Sequence, residues 1–129
     1  MTVACISMTI VKAQLANTQW KGSLVFPSQD PSQPPLSARV TWEFGKDTAR
    51  LSYDDQPADR TDVMIYTLDK DTLTLRKVSG GVPCDGETVG KYRIIQKDDA
   101  LSLLLVDDAC VARAKVAALN KAQVFSRVR

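Results

Sequence analysis

The chain has 129 residues, of which 44% are apolar and 25% are charged, values typical of a single globular domain. These proportions exclude an intrinsically disordered segment, a collagen-like fibre and a multi-span membrane protein. A net charge of +2 gives no electrostatic footprint for nucleic acid, and the absence of histidine excludes Ser-His-Asp triads, Cys-His dyads, a histidine-ligated haem and most zinc sites.

The N-terminal segment is an uncharged apolar run over residues 2–11, too short to span a bilayer. Val11 and Ala13 occupy the two small-residue positions of a signal-peptidase cleavage pattern before Gln14. We therefore interpret residues 1–13 as a secretory signal, although the basic residues that usually precede the apolar run are missing. This predicts a secreted or periplasmic protein whose mature domain spans residues 14–129.

Two other interpretations of this segment stay open. Valine, isoleucine and threonine are frequent in strands, so residues 3–13 could instead form an N-terminal β-strand. The sequence Thr-Val-Ala-Cys at residues 2–5 also resembles a lipobox, which would place a lipid anchor at Cys5. The apolar run continues beyond this cysteine instead of ending at it, which disfavours the anchor.

The cysteines support export, because removal of the signal would take away Cys5 and leave an even pair. Cys84 and Cys110 would then meet in an oxidising compartment, where disulfides persist. The Cys84–Cys110 disulfide would close a loop and stabilise the domain by about 3 kcal/mol. The alternative is two buried free thiols in a cytosolic protein, and the lack of a C-x-x-C spacing disfavours a redox or metal centre.

Eight predicted strands follow, several of them joined by short polar turns. Lys-Asp steps at 46–47, 70–71 and 97–98 separate runs in which apolar and polar residues alternate, a pattern typical of antiparallel hairpins. One apolar face per strand, carried around eight strands, favours a sheet that closes on itself. The predicted strands span residues 18–26, 37–44, 48–53, 62–68, 72–78, 90–96, 100–106 and 122–128.

The connections include one long loop and one helix. Four prolines within residues 27–35 forbid regular structure and predict an extended loop. A helix is predicted over Ala109–Leu119, capped by Asp107 or Asp108 and ended by Asn120. The predicted fold class is therefore all-β, an eight-stranded antiparallel up-and-down barrel with one helix before the last strand.

The order of several short motifs resembles that of small secreted bacterial lipocalin-like (calycin) domains. Residues 15–22, which include Trp20, are similar to their opening strand, in which a tryptophan near a glycine seals one barrel end. Residues 66–75 are similar to one of their hairpins, with Lys70 where glycine is more usual, and residues 84–113 are similar to a later stretch. The resemblance covers residues 15–129 and implies a barrel of the kind that the strand pattern predicts.

In lipocalins a late basic side chain packs over the early tryptophan. The resemblance implies that Arg127, or alternatively Arg113, packs over Trp20 in a cation–π contact that closes one end of the barrel. Such a contact is structural, and Trp20 could equally be a simple core residue.

The barrel interior is the candidate binding site. Alternation places Val40, Trp42 and Phe44 on one face of the predicted strand 37–44. It places Leu101, Leu103 and Leu105 on one face of the predicted strand 100–106. An interior of this kind would suit an apolar ligand, which tyrosine hydroxyls would orient, or would be filled by its own side chains. The register does not decide whether Tyr66 or its neighbours Val63 and Ile65 face inward. The predicted interior site residues are Trp42, Phe44, Tyr53, Tyr66, Leu75, Tyr92 and Leu103.

No catalytic residue, metal ligand or cofactor site is predicted. The chain contains no G-x-S-x-G motif, Walker loop or G-x-G-x-x-G motif. The pair Asp107 and Asp108 is better explained by helix capping than by catalysis. Four acidic residues could bind calcium weakly, but they lack the D-x-D-x-D-G spacing and a solvated loop is favoured: Asp54, Asp55, Asp59 and Asp62.

Three functions are compatible with this sequence. The favoured one is a secreted lipocalin-like protein that binds a small hydrophobic ligand inside the barrel. The second is a filled-barrel envelope protein that contacts a partner through residues 27–35. The third is a barrel cyclase or isomerase, which would need a buried ionisable group facing the cavity, whereas the predicted interior supplies only tyrosines. The ligand, the protein partner and the oligomeric state are not predicted.

Overall fold

The computed structural model describes residues 15–28, 30–57, 60–80 and 84–129. The secretory signal predicted for residues 1–13, the alternative strand over 3–13 and the alternative anchor at Cys5 all lie outside the described residues. These three interpretations stay predictions.

The described chain forms a closed barrel of eight antiparallel strands with one helix before the last strand, which confirms the predicted fold class. Each strand pairs with its neighbours in sequence, and pairing of the first strand with the last closes the barrel. The helix α1 spans Val111–Asn120. The strands are β1 (Thr18–Phe26), β2 (Leu36–Phe44), β3 (Thr48–Tyr53), β4 (Asp62–Asp69), β5 (Thr72–Ser79), β6 (Val89–Lys97), β7 (Ala100–Asp108) and β8 (Ala122–Val128).

Helix α1 begins later than the sequence indicates. Asp107 and Asp108 still belong to β7, where they pair with Lys91 and Gly90 of β6, and Cys110 occupies the N-cap position without a capping side-chain hydrogen bond. The prediction that Asp107 or Asp108 caps the helix is therefore wrong, because strand pairing continues through both residues. Asp108 instead accepts a hydrogen bond from the Cys110 backbone N–H over 2.8 Å, just before the helix.

The end of α1 is fastened to β1 by one side chain. Asn120, predicted to stop a helix whose last residue is Leu119, is itself the last helical residue, and Lys121 is the C-cap. Asn120 Nδ2 donates to the Val25 carbonyl over 2.9 Å, and Asn120 Oδ1 accepts from the Val25 N–H over 2.8 Å. These two bonds hold the helix beside the barrel wall.

The strand pattern places one face of each strand in the core. Val40, Trp42 and Phe44 of β2 are all nearly fully buried, as their alternation predicts. Phe44 stacks on Trp42 with ring centroids 5.3 Å apart and meets Tyr66 edge-on at 5.4 Å. Tyr66 is buried whereas Ile65 is 40% exposed, which settles the face of β4 in favour of the tyrosine.

One end of the barrel is closed around Trp20, which has no exposed surface. Arg127 of β8 pairs with Trp20 across the β1–β8 junction, and its guanidinium carbon lies 5.4 Å from the indole centroid. The indole Nε1 donates to Thr18 Oγ1 over 2.8 Å, and that hydroxyl donates to the Leu15 carbonyl. Arg127 therefore occupies the position over the tryptophan, and Arg113 does not.

Candidate ligand-binding cavity

A cavity of about 1140 Å³ opens at the other end of the barrel. In an up-and-down barrel, the connections β1–β2, β3–β4, β5–β6 and β7–β8 all meet at one end, which here also carries helix α1. Residues of each of these connections line the cavity, among them Pro27, Gln56, Asp85 and Ala112. The short turns β2–β3, β4–β5 and β6–β7 lie at the closed end instead.

The predicted interior residues divide between the two ends. Phe44 and Tyr66 are buried in the closed half and do not line the cavity, and the Tyr66 hydroxyl donates to the Gly45 carbonyl over 2.6 Å. Tyr53 is only partly buried, and its ring meets that of Phe26 edge-on near the mouth, with centroids 5.7 Å apart. The predicted residues that do line the cavity are Trp42, Tyr53, Leu75, Tyr92 and Leu103.

A buried ionic cluster at the cavity wall centres on Asp108. The Arg113 guanidinium holds the carboxylate with two hydrogen bonds, Nε to Oδ2 over 2.8 Å and NH2 to Oδ1 over 3.0 Å. The Tyr92 hydroxyl donates to Oδ2 over 2.5 Å. With the bond from the Cys110 N–H, the two oxygens of Asp108 accept four hydrogen bonds, so burial leaves this charge well compensated.

Glycine at position 90 makes room for this carboxylate. Gly90 pairs with Asp108 across β6 and β7, and a Cβ on Gly90 would lie 2.5 Å from Asp108 Oδ2. A side chain of any kind would therefore displace the acid or separate the strands. Gly90 is part of the site although it contributes no functional group.

A second tyrosine–aspartate pair lies at the start of β4. The Tyr53 hydroxyl donates to Asp62 Oδ2 over 2.6 Å, and Asp62 is only 2% exposed. Burial, and then the hydrogen bond to Asp62, raise the pKa of Tyr53 far above the ordinary tyrosine value. Burial and the Asp108 hydrogen bond raise the pKa of Tyr92 in the same way, so both phenols stay protonated and donate.

Sequence reasoning missed Asp62, Asp108 and Arg113 as interior groups. Asp62 shares its strand face with Met64 and Tyr66, and that alternation could have indicated its position. The inward position of Asp108 could not be predicted from alternation, because the β6–β7 pairing has a register shift between Lys91 and Tyr92.

Leu105 keeps the predicted register but is less buried than its two neighbours on that face. Leu101 and Leu103 are buried as expected, whereas Leu105, predicted to share their face, is 38% exposed. Leu105 still pairs with the inward-facing Tyr92 in the register of Leu101 and Leu103, and the irregularity follows only between Leu105 and Asp107. Beyond it, the side chain that reaches the ionic cluster at the wall is Asp108.

The rim of the cavity is fixed by the predicted disulfide. Cys84, in the β5–β6 connection, is bonded to Cys110, with their Cα atoms 5.7 Å apart. Cys84 itself lines the cavity, together with Ala109 and Val111 on either side of Cys110. The bridge thus ties the β5–β6 connection to the start of α1.

The weak calcium site considered in the sequence does not form among the residues that the structure describes. No group of three or more acidic or cysteine side chains is arranged there to hold a metal ion. Asp62 points inward, where it accepts the Tyr53 hydrogen bond. Asp54 lies on the surface, with its Oδ2 3.9 Å from Arg39 Nε. Asp59 falls outside the described residues.

Comparison of the chain with protein-family models, with curated proteins and with solved structures gives no match. The function must therefore be argued from the barrel and its cavity. Within residues 15–28, 30–57, 60–80 and 84–129, no helix is long and apolar enough to cross a membrane.

Proposed function

We propose that the protein is an exported lipocalin-like carrier that binds one small hydrophobic molecule inside its barrel. The observation that carries this proposal is the cavity itself, about 1140 Å³ and open at one end. Ligand pockets are typically about 300–1,000 Å³, with mostly apolar walls and a few polar groups. Here the wall combines aliphatic and aromatic side chains such as Leu24, Trp42 and Leu103 with the two tyrosine–aspartate pairs.

The cavity favours this function over the filled-barrel alternative. Side chains fill the closed half around Phe44 and Tyr66, but the half beneath α1 stays hollow. An eight-stranded barrel that acted only through residues 27–35 would not need such a space. A partner that binds this loop is the weaker candidate.

The polar groups of the interior favour binding over catalysis. The cavity wall does carry ionisable side chains, Asp62 and Arg113, which a cyclase or isomerase would require. However, Asp108 is engaged by four hydrogen bonds, and the raised pKa values of Tyr53 and Tyr92 keep both phenols neutral. Phenols that stay protonated at neutral pH supply no general base, so this cluster is better suited to positioning the side chains of the wall.

Export is supported by the Cys84–Cys110 bridge, since such bonds persist in oxidising compartments. Export is tested by intact-mass spectrometry of protein that has been isolated from the periplasm and alkylated without reductant. We expect a chain that starts at Gln14, carries no alkyl group and gains two hydrogens on reduction. A full-length chain alkylated at all three cysteines would contradict export.

Binding is tested with an environment-sensitive apolar fluorophore. The parent protein should enhance its emission, and Ala112→Trp, which places an indole in the cavity from α1, should abolish the enhancement. Ala118→Trp is the matched control, because Ala118 is exposed on the same helix and does not line the cavity. Equal fluorescence with all three proteins would contradict binding inside the barrel.

A further inference from the structure

Gln123 of β8 is a buried polar side chain whose amide has no hydrogen-bond partner among the residues that the structure describes. The residue is only 7% exposed. The other buried polar side chains of the described chain, Thr18 and Asp62, both take part in hydrogen bonds. A buried amide costs free energy unless it is hydrogen-bonded, so a bound group that pairs with this amide gains affinity from it.

The Gln123 amide is open to the cavity. Gln123 lines the cavity and pairs across β7 and β8 with Leu103, which also lines it. Among the described residues, the buried polar atoms with neither a partner nor accessible surface are Nε1 of Trp42, NH1 of Arg113 and Nε of Arg127. Neither polar atom of the Gln123 side chain belongs to this group, so both keep accessible surface. A molecule inside the cavity can therefore reach the amide.

Gln123 lies at the floor of the cavity, where the hollow half of the barrel meets the filled half. The next inward-facing residue of β8, Phe125, is 1% exposed and does not line the cavity. The same change occurs on β2, where Trp42 lines the cavity and the next inward-facing residue, Phe44, does not. The amide is thus placed to meet the end of a ligand that enters deepest.

No charged side chain of the described chain lies at this floor. The charged residues that line the cavity belong to the strand connections, to α1 or to the first position of β4: Asp55, Arg60, Asp62, Asp85, Arg113 and Lys115. An ionised group carried to the floor would be buried without a counter-ion, which is costly. The hydroxyl of Tyr92, on the neighbouring wall, is already donated to Asp108. The floor therefore favours a neutral polar group that pairs with Gln123.

We infer that the bound molecule is an apolar alcohol or amide that carries this group to the floor of the cavity, where it accepts a hydrogen bond from Gln123 Nε2 and donates one to Oε1. A hydroxyl or an amide N–H and carbonyl can use both ends of the glutamine amide without adding charge. The inference rests on the proposed function, because it assigns a chemical class and an orientation to the ligand of the same cavity. The hydrocarbon part then lies along the apolar wall toward the mouth.

The test compares the parent protein with Gln123→Leu, which removes the amide and keeps a side chain of similar size. Octane, octan-1-ol and octanamide each displace the fluorophore in sealed cuvettes at neutral pH. We expect octan-1-ol and octanamide to bind about tenfold more weakly to the variant, because each loses hydrogen bonds to a buried group. Octane should bind at least as tightly as to the parent. Each probe is compared with itself, so differences in hydration between the probes cancel.

Gln56→Leu is the matched control. Gln56 also lines the cavity, but it is exposed in the β3–β4 connection at the mouth. The same substitution there should leave the affinities for octan-1-ol and octanamide unchanged relative to octane.

Thermal unfolding without ligand separates a binding role of Gln123 from a structural one. Gln123→Leu should melt no lower than the parent, because it replaces an unpartnered buried amide by an apolar side chain. Gln123→Met, which is unbranched like glutamine, repeats the comparison if the branched leucine fits poorly. A loss of stability in both variants would overturn the inference, because the amide would then serve the fold.

The binding outcomes distinguish this inference from the proposed function. Equal affinities of the parent and Gln123→Leu for octan-1-ol and octanamide would overturn the inference and leave binding inside the barrel intact. An equally large loss for octanoate or octylamine, tested in the same way, would also overturn it, since a charged group would then reach the floor. If no probe displaces the fluorophore from the parent, the proposed function fails together with the inference.

Discussion

Arg113 and Asp108 form a bidentate salt bridge. The Asp108 side chain has no exposed surface, and the Arg113 side chain is only 10% exposed. The pair joins the end of β7 to the first turn of α1, the two elements that frame the cavity mouth. Its burial makes it a position where the loss of one partner is costly, since the other charge then remains in a poorly hydrated place.

We predict that Asp108→Asn lowers the free energy of unfolding by about 3–5 kcal/mol, because it leaves the Arg113 guanidinium buried without its counter-ion. Urea denaturation measures the change. Asp99→Asn is the control, since Asp99 pairs with Arg129 on the surface, where both side chains are more than half exposed. That substitution should cost less than about 1 kcal/mol, and equal losses at the two positions would contradict the role assigned to the buried pair.

We predict that Gly90→Ala destabilises the barrel by about 1–3 kcal/mol, because the added Cβ would overlap the Asp108 carboxylate. Gly45→Ala is the matched control, since its Cβ would have no neighbour closer than 3.5 Å, an ordinary contact. Thermal unfolding of both variants measures the difference. If Gly90→Ala melts no lower than Gly45→Ala, the close approach between β6 and the carboxylate is not a constraint.

We predict that replacing both cysteines of the bridge by alanine lowers the free energy of unfolding by about 3 kcal/mol in the chain-entropy description of a disulfide. The two residues lie 26 positions apart, so their bond restricts a substantial loop of the unfolded chain. Denaturation with and without dithiothreitol measures the effect. The parent should lose stability on reduction and the double variant should not, and a parent that is insensitive to reductant would contradict a stabilising bridge.

We predict that tyrosine ionisation and unfolding occur together at alkaline pH. The chain has three tyrosines, and burial raises the pKa of all three, Tyr53, Tyr66 and Tyr92, above the ordinary value of about 10. Because the folded state keeps these protons longer than the unfolded state, their stabilising contribution is complete below pH of about 10. It is lost as the pH rises above that value.

Tyrosinate absorbance and near-ultraviolet circular dichroism, followed along one pH titration, test this prediction. Absorbance should rise only where the dichroism of the folded core disappears. The variants Tyr53→Phe and Tyr92→Phe should each make the alkaline loss of stability less steep. A gradual tyrosinate signal near pH of about 10 from protein with unchanged dichroism would contradict the buried hydrogen bonds of these phenols.

The strands were predictable because, along most of the chain, the alternation of apolar residues and the positions of the turns indicate the same strand boundaries. Val40, Trp42 and Phe44 alternate with polar residues, and the turns near Lys70 and Asp98 separate such runs clearly. Both turn residues adopt positive φ, 57° and 55°, without being glycine. Short turns and two-residue alternation are sufficient to predict antiparallel neighbours, and hence the barrel.

The polar part of the site was less predictable because it depends on irregularities and on tertiary contacts. The register shift in the β6–β7 pairing lies between Leu105 and Asp107 and brings Asp108 to Tyr92, which strict alternation does not anticipate. The contact of Arg113 with Asp108 can be predicted only once the position of helix α1 on the barrel is known. The hollow of the interior depends on how completely side chains fill the barrel, which the pattern of alternation does not determine.

The pairing of β1 with β8 has a consequence for how the chain folds. All other strand pairs join neighbours in sequence and can form one after another, each closing a connection far shorter than the described chain. The last pairing joins Trp20 to Arg127 from opposite ends of the described chain, and its register extends over only three residue pairs. Closure at this junction requires the largest loss of chain entropy, so we expect it to be the late, rate-limiting event of folding, after the meander has formed.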